Sequence, residues 1–93
     1  EQPDYEKFPC LRLAREAVTE GAAMQMVFNA ANDAAVALFR RGAIGFWQIG
    51  EVIRAAMDSF RGTEVASFEE IYARDAEIRS FAETVAQRFA VQP

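Results

Sequence analysis

Histidine is absent from this 93-residue chain, and cysteine occurs once, at Cys10. The first absence removes the commonest general base and the commonest metal ligand together. The second excludes an internal disulfide and fits a reducing compartment, so a cytoplasmic location is expected. Basic residues are also few, 10 Lys+Arg against 14 Asp+Glu, for a formal net charge of −4. Phosphate-backbone binding needs a basic footprint, and Arg40-Arg41 is the only pair of adjacent basic residues, so no nucleic-acid partner is expected. No apolar run approaches the roughly 20 residues that span a bilayer, so no membrane association is expected either. The opening Glu1-Gln2-Pro3-Asp4-Tyr5 has neither the basic nor the apolar region of a signal peptide.

What is present is globular: 52% hydrophobic and 26% charged residues. A chain this short makes one small domain, burying about 60–65% of its unfolded surface. A cleft between two domains is excluded.

Helical periodicity dominates. Residues 1–8 carry Pro3, Tyr5 and Phe8 without a helical period and read as an extended lead-in. Pro9 suits a first helical position, and a first helix is expected over 9–20, with Leu11, Leu13, Ala14, Ala17 and Val18 as its stripe. Gly21 stops it. A second helix is expected over 22–41. Met24, Phe28, Ala31, Ala35, Leu38 and Phe39 form one broad face, and Ala30, Ala34 and Ala37 beside Met26 form another. A helix apolar on two sides is packed on two sides, so this one should be central, and alanines permit close approach.

Gly42 to Gly45 turns the chain. A third helix over 46–60 places Phe46, Ile49, Val52, Ile53, Ala56, Met57 and Phe60 inside and Glu51, Arg54, Asp58 and Arg61 outside. In the last segment, Ser67-Phe68-Glu69-Glu70 fits a capping box, and Ile71, Ile78, Ala82, Val85 and Phe89 make its stripe. Asp75 interrupts that stripe. The expectation is a break near Arg74, with Asp75 capping a fresh helical segment. The fold class is all-α: a four-helix bundle over 9–93 with an extended N-terminal linker segment over 1–8.

No set of side chains makes a convincing reactive centre. Cys10 sits in a helical first turn, where the dipole can lower a thiol pKa, but it lacks a base, and the preferred reading is a small buried hydrophobe. Gln25, Asn29, Asn32 and Asp33 share a helix face. They are too weakly charged for a cation site and read as solvating the helix or capping a neighbour. Glu69, Glu70, Asp75 and Glu77 are acidic residues near a helix start, placed there for dipole and capping reasons rather than acid–base work. Gly42 and Gly45 follow no strand and lack the lysine of a phosphate loop. Trp47, among charged residues, reads either as an interface anchor or as a single exposed aromatic. No catalytic, cofactor-binding or metal-binding residue is therefore expected.

Two stretches carry a resemblance. Pro3-Asp4-Tyr5-Glu6-Lys7-Phe8-Pro9-Cys10-Leu11-Arg12-Leu13-Ala14 and Phe28-Asn29-Ala30-Ala31-Asn32-Asp33, with weaker echoes in Ile44-Gly45-Phe46…Ile49 and Asp75…Arg79, resemble the C-terminal part of the 1-deoxy-D-xylulose 5-phosphate reductoisomerase family. The resemblance implies the C-terminal helical domain of an NADPH- and Mg- or Mn-dependent enzyme of the non-mevalonate isoprenoid pathway. Residues 1–8 would be the end of an interdomain linker. The partners implied are the NADPH-binding and catalytic domains of the same parent chain, in a homodimer, and those domains hold the family's catalytic residues. Two positions depart from the family pattern. Asp33 stands where the family has Glu, and Trp47 where it has a small or polar residue, which leaves the third helix without its usual cap.

The alternative is a free-standing helical interaction module. An initiator Met near residue 1 favours the module and a continuous upstream reading frame the enzyme. The opening Glu1 leads us to expect a piece of a longer chain. A third reading has Tyr5, Phe8 and Trp47 driving self-association.

Overall fold

A computed structural model describes residues 9–62 and 68–90. The lead-in over 1–8 and the capping box on Ser67 lie outside the described residues. Four helices follow in order: α1 (Pro9–Glu20), α2 (Ala22–Arg40), α3 (Gln48–Phe60) and α4 (Phe68–Ala90). No strand occurs among the described residues. The all-α four-helix architecture is the one the periodicity implies.

The central position of α2 has a physical cause in its composition. Ala30, Ala31, Ala34 and Ala35 are all buried, with Met24, Val27 and Leu38 on the same side. Small side chains on this broad surface let α2 touch α1, α3 and α4. The α3 helix also touches all three others, whereas α1 and α4 make no contact with each other among the described residues. The core therefore lies along an α2–α3 axis flanked by α1 and α4. It is wholly apolar: Leu13, Leu38, Ile53, Met57 and Ile78 are its largest fully buried side chains, and no described polar or charged residue is buried.

Several stripe positions differ from expectation. Leu11 and Val18 of α1 are exposed, as is Ala37 of α2, while Val27 and Ala86, absent from the expected stripes, are buried. Ile71, in the first turn of α4, is exposed as well. The break at Arg74 does not exist: α4 runs continuously for 23 residues. Asp75 stays on the solvent-facing edge, where Arg79 one turn later donates Nε–H to its Oδ2 at 2.8 Å, so neither a break nor a cap is needed.

A positive-φ glycine follows each of the first three helices, Gly62 after α3 among them. Gly42 adopts φ +81° after α2, and its N–H donates to the Phe39 carbonyl while that of Ala43 donates to Leu38. These bonds satisfy carbonyls that a helix end leaves orphaned, in a left-handed conformation that costs glycine nothing. Gly21, at φ +112°, separates α1 from α2 with no intervening loop.

Surface ion pairs join helices that the core brings together. Arg61 forks onto both carboxylate oxygens of Glu20 at 2.8 and 3.0 Å and also reaches Asp58 at 2.8 Å. Arg54 meets Glu16 at 2.8 Å, and Arg41 meets Glu83 at 2.6 Å. Exposed pairs of this kind are each worth about 0–1 kcal/mol. The Arg61 hydrogen bond holds the Glu20 carboxyl below its ordinary pKa. A depressed folded-state pKa gives stability that is present above the unfolded value, about 4.3, and is lost as pH falls through the folded one. Urea midpoints should therefore fall between pH 7 and pH 3, and by less in Arg61→Ala. Equal falls in the two proteins would show that the fork carries no linkage.

Candidate functional site

Most of the polar candidates do not converge. Gln25, Asn29 and Asp33 are exposed on α2 and Asn32 is half-buried, so the stripe solvates its helix. Only Asp33 reaches across it, with Arg79 Nη2 at 3.5 Å. Asp75 is held by Arg79 and Glu77 by Arg74 at 2.8 Å, while Glu69 and Glu70 are exposed at the start of α4. Among the described residues, no three Cys, Asp or Glu side chains gather as they would to hold a metal ion.

Cys10 is half-buried, as its reading as a small hydrophobe implies, and packs against the core. Burial pushes its thiol pKa up, opposite to the helix-dipole effect. A thiol so displaced is largely protonated at neutral pH and makes a poor nucleophile.

The chain does assemble something at the corner between α2 and α3, and its physical cause is where α3 begins. The expected third helix opens at Phe46, but the observed one opens at Gln48. Gly45 to Trp47 forms a tight turn in which the N–H groups of Gln48 and Ile49 donate to the carbonyls of Gly45 and Phe46 at 3.0 and 3.2 Å. Trp47 occupies the cap position without a side-chain cap bond. The Gln48 side chain closes this turn, its Oε1 accepting from the Gly45 N–H at 2.8 Å.

Because Phe46 precedes the helix, it is not on the α3 wheel and turns outward. It is 56% exposed, Trp47 is 67% exposed and Phe39 is 39% exposed. The three rings form a continuous edge-to-face row, with Phe39–Phe46 centroids 5.8 Å apart and Phe46–Trp47 centroids 5.3 Å apart. Beside the row lies an apolar cavity of about 80 Å³, lined by Pro9, Cys10, Phe46, Trp47, Ile49 and Gly50. The two helices meet at Gly50, where a Cβ would be in ordinary contact, 3.5 Å from the Pro9 Cβ and 3.9 Å from the Cys10 Sγ. The start of α1 is thus seated on the first turn of α3. An open groove continues from Pro9 and Trp47 between α1 and α3 towards Arg12, Glu51, Arg54 and Asp58.

An aromatic row, an apolar notch and a charged margin are the parts of a docking surface. Fold and site define the class: a small helical bundle with an exposed aromatic row at one corner and no gathered reactive groups among its described residues.

Comparison with known proteins gives the particular family. Residues 1–81 match the sequence model of the DXP reductoisomerase C-terminal domain. The 1-deoxy-D-xylulose 5-phosphate reductoisomerases of Nitrosomonas eutropha and Cellvibrio japonicus are 44% and 45% identical to it over 82 and 80 residues. Those alignments take in 88% and 86% of this chain and 20% of each relative. The solved structure of the Zymomonas mobilis reductoisomerase in complex with NADPH superposes with a TM-score of 0.84 at 40% identity, covering 92% of this chain and 23% of that one. The chain belongs to the DXP reductoisomerase C-terminal domain family, and it spans about a fifth of the length of its curated relatives.

Proposed function

We propose that this chain is the C-terminal structural domain of an NADPH-dependent 1-deoxy-D-xylulose 5-phosphate reductoisomerase, without catalytic residues of its own. The observation that carries the reading is the family match over residues 1–81, joined to a 40% identical fold match within an NADPH complex. In this reading residues 1–8 are the end of the interdomain linker and residues 9–93 the bundle. The parent chain isomerises and reduces its substrate to 2-C-methyl-D-erythritol 4-phosphate in the bacterial cytoplasm, as a homodimer.

The residues described here do not fit NADPH or a divalent metal. Among the described residues no three acidic side chains gather as a cation would need, and the notch beside Trp47 is apolar and too small for a dinucleotide. Both groups are therefore assigned to residues of the parent chain that precede this domain. The bundle acts as scaffold, a stable body against which the catalytic region is held. The test is turnover by the complete parent chain. NADPH oxidation should depend on 1-deoxy-D-xylulose 5-phosphate and on Mg²⁺ or Mn²⁺, and an inactive, folded parent chain contradicts the assignment.

A further inference from the structure

We propose that the aromatic row Phe39–Phe46–Trp47, with the notch beside Pro9, is the surface on which the preceding part of the same parent chain docks. The proposal rests on the parentage proposed above and deepens it by naming the contact.

Three observations point to that occupant. The first is where the chain enters. The family is a C-terminal domain occupying about a fifth of its relatives, so the remaining polypeptide leads into the bundle through its N-terminal side. Pro9, the first residue of α1, is itself a wall of the notch. The described chain therefore begins at this corner.

The second is area. Phe and Trp side chains bury roughly 150–250 Å² each when fully covered. The exposed parts of these three rings amount to a few hundred Å² at most, so a symmetric pair of such patches falls short of the roughly 1,200 Å² of a stable free interface. A tethered partner needs less. The covalent link puts it at millimolar effective concentration and removes much of the entropic cost of association.

The third is chemistry. Each ring of the row meets its neighbour edge-to-face, and the row is continuous with a groove bearing both signs of charge. An apolar centre with a polar margin is how a docked protein surface is built. A lone exposed aromatic carries no such meaning, but three in contact beside a cavity do.

Hydroxyl-radical footprinting of the complete parent chain and of the 93-residue chain, read by mass spectrometry, tests this. Phe46 and Trp47 should be oxidised about five-fold or more slowly in the parent chain, as expected for rings moved into an interface core. Tyr72, 77% exposed on α4, should react equally in both. In a parent chain carrying Trp47→Ser, Phe46 should regain part of its reactivity. Equal oxidation of Phe46 and Trp47 in the two proteins overturns the proposal, and so does protection confined to Tyr72. Protection that grows with concentration in the 93-residue chain alone overturns it in favour of a second copy. NADPH oxidation by the same preparation separates the two readings: an active parent chain with unprotected rings defeats the docking surface alone, and an inactive one defeats the parentage on which it rests.

Discussion

Ile53→Ala should lower the stability of the domain by about 2–5 kcal/mol, the usual cost of removing a large aliphatic side chain from a core that relaxes only partly. Ile53 is fully buried on α3, the helix that touches all three others, so no single neighbour can shift to fill the void without disturbing a second contact. A domain of this length has roughly 5–14 kcal/mol in total, so the loss is a large fraction of it. The midpoint of thermal unfolding, followed by helical circular dichroism, should fall on the order of 10–20 °C. Tyr72→Ala, at an exposed position, should stay within about 0.5 kcal/mol of the parent sequence. Similar losses at the two positions would mean that the core does not lie on the α2–α3 axis.

A larger effect is expected for Ala35→Asp. Ala35 is fully buried on α2, and no described polar or charged residue lies in the core to pair with a carboxylate. An isolated buried carboxyl has its pKa raised by up to about 3–5 units, which places the cost at neutral pH at about 4 kcal/mol or more. The sign follows from linkage. With the folded pKa above the unfolded one, the penalty is full above the folded value and shrinks as pH falls towards the unfolded value near 3.9. The gap in urea midpoint between the variant and the unaltered chain should therefore narrow from pH 7 to pH 4. A gap independent of pH would show that the carboxylate escapes to solvent and that the alanine face is not sealed.

These two expectations rest on the part of the structure most legible in the sequence. Four helices, the all-α class and the alanine surface of α2 follow from the periodicity, because an apolar stripe at 3.6-residue spacing has few other uses in a chain this size. Charge placement was harder to read. Asp75 looked incompatible with a continuous helix, yet Arg79 one turn on satisfies it at the edge of α4. The cross-helix pairs Glu20–Arg61 and Arg41–Glu83 join residues more than forty positions apart, which no local spacing reveals.

The contact patch was the least legible feature. Phe46 matches the α3 stripe on a helical wheel, at three and seven residues from Ile49 and Ile53, and was expected in the core. A wheel assumes that the helix has already begun. The turn over Gly45–Trp47 delays it by two residues and rotates Phe46 outward, turning one exposed tryptophan into a row of three rings. Capping residues give no signal for the delay, since Gly45 before Phe46 is an acceptable N-cap and Trp47 before Gln48 is not.

We propose that the 93-residue chain folds around its own core and has no turnover of its own, the chemistry being assigned to the rest of the parent protein. The most direct measurement is NADPH oxidation by this chain alone, confirmed as helical by circular dichroism, with 1-deoxy-D-xylulose 5-phosphate and Mg²⁺ or Mn²⁺. The rate should equal that of a protein-free blank. Substrate-dependent oxidation above the blank by the folded chain would contradict the claim.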